Sequence, residues 1–332
     1  MMRGKGSSYP SMNQLYRSYN SYLRERFGER VHKVSVDAGF TCPNRDGAKA
    51  VGGCIYCNNE SFNFSPRKSV YDQLRIGIEK AHNRYGARKF IAYFQAYTNT
   101  YAPVAQLYDI YSTIHHFPQI VGLSIGTRPD CVNDEVLALV QDFTRTHEVW
   151  LEYGLESSHD ETLRKINRAH TFDEFKDAVN RTRGRDIKVA THIIVGFPWE
   201  TQEDVYETAK RISILPIDAV KIHNLHVVRG TALERMYLRT DLSLLTMEDY
   251  VQWTARILEL LPSDMIILRL SAECPQELLI APDWCNRKRE IAAAIVQELE
   301  SRESYQGKFA PLRLSTARAH EAKDYEENQR DG

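Results

Sequence analysis

The sequence predicts an α/β protein, a partial (β/α)6 barrel of the TIM type with extensions at both ends. Short apolar runs rich in β-branched residues alternate with longer stretches in which apolar residues recur three and four apart. The short runs are almost continuously apolar, which indicates strands buried on both faces of a parallel sheet. Repeated strand–helix order then requires right-handed crossovers between parallel strands.

The elements of the barrel follow one another between residues 31 and 230. The five helices between its strands have good N-cap residues in two places, at Asn133 and Thr171. The predicted strands are 31–39, 90–95, 120–126, 148–156, 188–197 and 218–228, and the helices are Val70–Tyr85, Val104–Phe117, Asp134–Thr146, Phe172–Arg183 and Glu203–Leu215.

Two extensions flank the barrel. In 1–30 basic and aromatic residues interleave, as suits phosphate contact and base stacking, but an amphipathic helix packed on the barrel explains the same pattern and is the preferred interpretation. The segment 231–315 contains a predicted helix, a strand at 265–272 and a long helix at 281–303. The last residues, 316–332, lack apolar periodicity and are predicted to be a disordered tail.

Composition narrows the class of protein. The chain has 332 residues, 42% of them hydrophobic and 26% charged, with a formal net charge of −1, which is typical of a soluble globular protein. No apolar run is long enough to span a membrane, and scattered cysteines favour a reducing cytoplasm. A nearly neutral chain must bind nucleic acid, if at all, through a local patch.

Three clustered cysteines are the strongest chemical signal. Cys42, Cys54 and Cys57 lie in one loop, with Gly52 and Gly53 able to turn the backbone tightly around a metal centre. Three thiolates without a fourth suit a [4Fe–4S] cluster that keeps one iron open for a ligand. A structural zinc site normally needs four protein ligands, and a second C-x2-C or H-x3–5-H pair is missing. The spacing favours the iron–sulfur cluster and leaves zinc as the alternative.

Polar residues follow the other predicted strands. They occur at 95–100, 126–130, 152–158 and 196–199, and barrel chemistry is expected at the carboxyl ends of strands. His223 and His226 are three residues apart in a predicted strand, so at most one of them is expected to face the barrel interior.

The order of motifs resembles the radical S-adenosylmethionine superfamily. Within it the chain is similar to the Elongator catalytic-subunit type and most similar to the YhcC/YtqA-like branch, for which a longer spacing between the first two cysteines is known. The resemblance rests on the cysteine loop, TRPD at 127–130, LES at 155–157, NRAHT at 167–171, HIIVGFP at 192–198 and KIHNLHVVRGTALE at 221–234.

The resemblance implies two cofactors, a [4Fe–4S] cluster and S-adenosylmethionine. The three cysteines would ligate the cluster. Glu156 would meet the ribose or methionine end, Arg168 would pair with the methionine carboxylate, and Arg128 is an alternative for that pairing. Tyr56 occupies the aromatic position near adenine, with plain loop packing as its alternative. Gln95 lies where the superfamily has a glycine cluster and is included as a cofactor-binding residue.

The resemblance also implies a substrate and partners. We expect tRNA as the substrate and the 5-substituent of a wobble uridine as the target. The Elongator acetyltransferase domain has no counterpart here, so we expect remodelling of an existing carboxymethylaminomethyl-type group. A flavodoxin or ferredoxin is the expected electron donor. The alternatives are radical chemistry on a small metabolite or peptide, and a zinc-stabilised RNA-binding protein without catalysis.

Overall fold

The computed structural model describes residues 15–59 and 68–311. The first fourteen residues of the basic extension and the predicted tail 316–332 therefore lie outside the described residues. Within the described ranges, no helix is both long enough and apolar enough to cross a lipid bilayer.

A parallel sheet of seven strands forms the centre of the molecule. Its strand order is β1-β2-β3-β4-β5-β6-β8, which follows the chain and confirms the partial barrel. The strands are β1 (Val31–Val36), β2 (Lys89–Phe94), β3 (Ile120–Thr127), β4 (Glu148–Glu156), β5 (Lys188–Val195), β6 (Ala219–Asn224) and β8 (Ile266–Arg269); β7 (Val227–Val228) pairs with β9 (Leu279–Ala281) in a separate antiparallel ribbon.

Helices follow most strands and cover the outer face of the sheet. Their starts are fixed by side-chain caps: Asn133 accepts from the backbone of Val136, and Thr171 forms a capping box with Glu174. The helices are α1 (Tyr19–Phe27), α2 (Val70–Tyr85), α3 (Val104–Tyr111), α4 (Asp134–Asp142), α5 (Asp160–Lys165), α6 (Phe172–Thr182), α7 (Gln202–Ser213), α8 (Ala232–Arg239), α9 (Met247–Leu260) and α10 (Lys288–Ser301).

The seventh strand corrects the prediction of a six-stranded barrel. The strand predicted at 265–272 does form, as β8, but it joins the barrel sheet beside β6, with Ala219 opposite Ile266 and Lys221 opposite Arg269. The C-terminal extension thus supplies part of the barrel wall, because its apolar strand β8 is the seventh strand of the sheet. The predicted strand 218–228 is also divided, since β6 ends at Asn224 and β7 pairs elsewhere.

Helix α1 covers the amino-terminal ends of the strands. Tyr19 and Tyr22 pack edge-on against Trp150, with ring centroids 5.8 and 5.9 Å apart. The buried carboxylate of Glu148 accepts from the Tyr22 hydroxyl at 2.7 Å and from the Trp150 indole at 2.8 Å. For the described part of the N-terminal segment, the packed-helix interpretation is the one the contacts support. Because this end of the barrel is filled, a ligand enters from the opposite end.

Candidate active site

One pocket lies at the carboxyl ends of the strands, and the three clustered cysteines line it. Cys42, Cys54 and Cys57 belong to the loop after β1, and Cys54 is the buried member of the three. The pocket continues downward between the strands to Glu152, Lys221 and neighbouring polar residues. The structure therefore connects the cysteine loop and the barrel interior in one space.

The cysteine loop is shaped by glycines and anchored by asparagines. Gly52 and Gly53 have φ values of 87° and 78°, in the left-handed region that side chains rarely adopt. The Asn44 side chain donates to the carbonyls of Asn167 and Arg168, and the Asn167 side chain donates to the Gly53 carbonyl at 2.8 Å. The loop is thus held to the segment after α5, which carries Arg168.

Polar N–H groups surround the sulfurs. Arg168 Nη1 and Asn44 Nδ2 each lie 3.6 Å from Cys54 Sγ, and Asn59 Nδ2 lies 3.6 Å from Cys57 Sγ. Hydrogen bonds to sulfur stabilise thiolates and tune the potential of a metal cluster that they bind. Burial, with further repulsion from Cys54, raises the pKa of Cys57 to about 12. A metal centre bound by these thiols would favour loss of the proton.

Arg168 and Glu156 form a buried pair beside Cys54. Arg168 Nη2 lies 3.4 Å from Glu156 Oε1 and donates to the Gly154 carbonyl at 2.6 Å. A Cβ on Gly154 would be 2.4 Å from Arg168 Nη2, so only glycine permits this close approach. Burial raises the pKa of Glu156, although the charge of Arg168 and a hydrogen bond from Tyr56 oppose the shift.

Arg128 has a different set of partners. Its guanidinium forms a bidentate pair with Asp130, both contacts at 2.9 Å, and donates to the Arg168 carbonyl at 2.7 Å. Burial raises the pKa of Asp130, but Arg128 and Lys49 outweigh it and bring the value to about 2. The donors of Arg128 are thereby occupied, and the side chain braces the segment that holds Arg168.

The remaining predicted cofactor residues line the same pocket from two sides. Tyr56 packs near Phe197 with ring centroids 6.4 Å apart, and Gln95 ends the strand-two segment opposite. Tyr97 has a φ of 61°, so the backbone turns here in the conformation that favours glycine. The hydroxyl of Thr98 is buried without a hydrogen-bond partner in the described residues and lies at the pocket wall.

The floor of the pocket is a charged network built on Glu152. This fully buried carboxylate contacts Lys33 Nζ at 2.5 Å, Lys221 Nζ at 3.2 Å and His192 Nε2 at 2.9 Å. Burial and the neighbouring cations hold the pKa of Lys221 down at about 7, against the opposing charge of Glu152. Burial lowers the pKa of His192 to about 4, so its ring is neutral near pH 7.

His223 and His226 both line the pocket, but only His223 lies in a strand of the barrel. The alternation argument assumed a strand through both residues, whereas β6 ends at Asn224 and His226 lies in the short link between β6 and β7. The rings of His223 and His192 are tilted by 32° with their centroids 5.5 Å apart, and His223 Nε2 is buried without a partner among the described residues.

The donor set fits an iron–sulfur cluster with an adjacent organic ligand. Three thiols and three N–H groups directed at two of them converge on one pocket, and the partnerless Thr98 hydroxyl faces the same space. In the described residues no three His, Cys, Asp or Glu side chains have the arrangement that binds a single metal ion. Ligands of one four-iron cluster bind separate irons and therefore stand further apart than ligands of one ion.

Sequence reasoning included Glu152 among the polar residues at strand ends, but it missed the cations Lys221 and Arg269 of the floor and the braces of the loop. Glu152, Lys221 and Arg269 are charged residues within otherwise apolar strands, which is a readable signal because such strands are buried on both faces. Asn44 carried no signal, since its role depends on carbonyls more than a hundred residues away.

Comparison with known proteins identifies matches over most of the chain. The model of the radical SAM superfamily matches residues 42–212, and that of the radical SAM C-terminal domain matches residues 217–301. YtqA of Bacillus subtilis is 39% identical over 312 residues, covering 93% of this chain and 97% of that protein. YhcC of Escherichia coli K12 is 37% identical over 280 residues, covering 83% and 90%.

More distant matches belong to the Elongator type. Elongator complex protein 3 of mouse is 26% identical over 187 residues, covering 55% of this chain and 34% of that protein. The solved structure of archaeal Methanocaldococcus infernus Elp3 with an N-terminal deletion has a TM-score of 0.64 at 19% identity, covering 83% of this chain and 64% of that one. This structural match shows the shared fold.

Proposed function

The chain belongs to the radical S-adenosylmethionine superfamily, whose members bind a [4Fe–4S] cluster and S-adenosylmethionine, and from that premise we propose a tRNA-modifying enzyme. Its proposed target is the 5-substituent of a wobble uridine, where it remodels an existing carboxymethylaminomethyl-type group. The observation that carries the proposal is one pocket that joins three cysteines to an enclosed polar barrel floor.

When bound, the cluster and S-adenosylmethionine would supply one-electron reductive cleavage of the sulfonium and abstraction of a hydrogen atom from the substrate. The chain's own residues hold and orient them. Cys42, Cys54 and Cys57 would ligate the cluster, with Arg168 and Asn59 donating towards the sulfurs. A flavodoxin or ferredoxin is proposed as the electron donor.

The contacts of Arg168 support an assignment of side chains to the groups of S-adenosylmethionine. Arg168 lies between Cys54 Sγ and the Glu156 carboxylate. We therefore assign Arg168 to the methionine carboxylate and Glu156 to the ribose hydroxyls, with Tyr56 at the adenine. Arg128 is assigned to bracing, because its guanidinium contacts Asp130 and backbone carbonyls, whereas the guanidinium of Arg168 contacts Cys54 Sγ. Gln95 is assigned to the methionine amino end from the opposite wall.

The substrate class rests on the likeness to the Elongator type. That likeness covers 55% of this chain in sequence, and the fold is shared with the archaeal Elp3. The pocket floor lies within the barrel, so the substrate must insert a slender group from the open end.

The test is anaerobic incubation of reduced, cluster-loaded enzyme with S-adenosylmethionine and tRNA, followed by quantification of 5′-deoxyadenosine and of modified nucleosides. We expect 5′-deoxyadenosine formation that increases with tRNA carrying carboxymethylaminomethyluridine, together with loss of that nucleoside. Cys54→Ala is the inactive control. Cofactor cleavage that is indifferent to tRNA, with unchanged wobble nucleosides, would instead favour a small metabolite or peptide as the substrate.

A further inference from the structure

The pocket floor contains more positive than negative charge. Glu152 is the acidic group at its centre, and both carboxylate oxygens are occupied: Oε1 by Lys33 and Ser124, and Oε2 by His192 and Lys221. Lys221 also donates to the Tyr93 hydroxyl at 2.9 Å. The single negative charge of Glu152 is thus shared between two lysines, Lys33 and Lys221.

Arg269 is a further cation of the pocket that does not contact Glu152 in this network. It stands opposite Lys221 in the β6–β8 register, so both side chains lie on the same face of the sheet, and both line the pocket. In the described part of the chain, Arg269 has no hydrogen bond or ion pair. The nearby acidic residue Glu273 is engaged with Lys288 at 2.8 Å.

A third group beside these cations also lacks a partner. His223 follows Lys221 by two residues in β6, on the same face, and its Nε2 atom is buried without a hydrogen bond in the described residues. A buried polar atom without a partner costs about 1–3 kcal/mol, so an acceptor brought by a ligand would be stabilised there. Burial and the adjacent His192 and Lys221 keep the pKa of His223 well below its usual value, which leaves a neutral ring with one N–H.

We propose that Arg269, Lys221 and His223 form an anion-binding subsite on the barrel floor that accepts a carboxylate of the substrate. The planar guanidinium of Arg269 suits bidentate binding of a carboxylate. A backbone phosphodiester is flanked by two sugars and does not fit at the bottom of a barrel closed by α1. A carboxylate at the end of a slender substituent does fit.

The identification of that carboxylate with the end of a carboxymethylaminomethyl group rests on the proposed function. A free carboxylic acid would offer the same chemistry to the subsite. The two sources are distinguished by separate arms of one experiment, both performed on the full chain with its cluster, under anaerobic conditions and with S-adenosylmethionine present.

The first arm measures binding of two anticodon stem-loop RNAs by fluorescence anisotropy. One carries 5-carboxymethylaminomethyluridine at the wobble position and the other carries 5-aminomethyluridine, which lacks the carboxylate. We expect wild type to prefer the first RNA by about 10- to 100-fold, the range for a hydrogen-bonded charged group. Arg269→Gln should reduce the preference to near one, and Arg269→Lys should retain part of it.

Arg145→Gln is the matched control, because it removes the same charge from an exposed site whose ion pair in the described part of the chain is with Asp142. It should leave the preference unchanged.

The second arm titrates ¹³C-labelled acetate, a bare carboxylate, and follows saturable line broadening by NMR. Wild type should show it, and Arg269→Gln should not.

The outcomes separate the subsite from the proposed function. RNA preference that is lost in Arg269→Gln supports both. Acetate binding that depends on Arg269, without any RNA preference, supports the subsite and overturns the wobble-uridine source. Equal binding of the two RNAs together with acetate broadening that is unaffected by Arg269→Gln overturns the subsite.

Discussion

Among single residues, the surroundings of Cys54 predict the effect of a substitution on iron binding. It is the buried cysteine of the three and has two N–H donors at 3.6 Å from its sulfur. Cys54→Ser should reduce bound iron from about four atoms per chain to well below one, because a hydroxyl is a poor ligand for iron–sulfur clusters. Iron and sulfide analysis of anaerobically reconstituted protein measures this.

Cys274→Ser is the control for that prediction. Cys274 is equally a buried free cysteine, but it does not line the pocket. Its iron content should equal that of wild type. One zinc per chain in place of iron, in either variant or in wild type, would contradict the cluster assignment.

His192 predicts a pH dependence of stability. Burial lowers its pKa to about 4 in the folded protein from 6.5 when unfolded, so the unfolded chain binds a proton that the folded chain resists. This contribution is present above pH 6.5 and is lost as the pH falls towards 4. Between pH 7 and pH 5, the loss should be about 2 kcal/mol of unfolding free energy.

The measurement is urea unfolding of cluster-free protein at both pH values, compared with His192→Gln. The variant should lose about 2 kcal/mol less between pH 7 and pH 5. His116→Gln serves as a control, because His116 is exposed and lies far along the chain from the pocket floor. An equal loss in wild type and in His192→Gln would refute the assignment of this acid sensitivity to His192.

The cysteines could be predicted at residue scale because their spacing is local, whereas the role of Arg128 could not. Arg128 and Arg168 are both arginines in family-like motifs, and sequence alone left them as alternatives. Their difference arises from a long-range contact, since Arg128 donates to the carbonyl of Arg168 across 40 positions. Such contacts exist only once two loops have been brought together.

At the scale of elements, the sheet was predictable and its last strand was not. Alternating apolar runs mark strands wherever they lie, but the run at 265–272 contains no information about which edge it joins. Its place beside β6 depends on α9 crossing the outer face, which is a tertiary property. For the same reason the position of His226 could not be predicted, because it depends on β6 ending at Asn224.

Helix α1 predicts a measurable contribution to stability. Leu23 is 2% exposed and packs in the cluster that α1 forms with the strand starts, including Trp150 and Ile91. Leu23→Ala should cost about 2–5 kcal/mol, because it removes buried methyl groups and leaves a cavity. Urea unfolding should show this, whereas Asn20→Ala on the exposed side of α1 should change stability by less than about 0.5 kcal/mol. A neutral Leu23→Ala would indicate that α1 does not hold the barrel end closed.

For the molecule as a whole, the contacts between the two ends of the described chain are the feature that makes the barrel one unit. The Gln306 side chain donates to the carbonyls of Pro262 and Met265 at 2.6 and 2.7 Å and accepts from the backbone of Arg17 at 2.8 Å. Its backbone N–H donates to Leu15. The segment before α1 in turn extends the free edge of β8, where the Ile267 N–H donates to the Arg17 carbonyl.

Gln306→Ala should therefore destabilise the whole domain. Gln306 is 3% exposed, and its removal leaves three backbone groups without their partner, at about 1–3 kcal/mol for each group that water does not reach. We expect a loss of about 2–5 kcal/mol in urea unfolding and faster proteolysis near residue 15. Gln252→Ala, at an exposed glutamine of α9, is the matched control. If the two variants unfold at the same urea concentration, the contacts of Gln306 with the segment before α1 do not stabilise the edge of the barrel. The strand β8 is then held by its pairing with β6 alone.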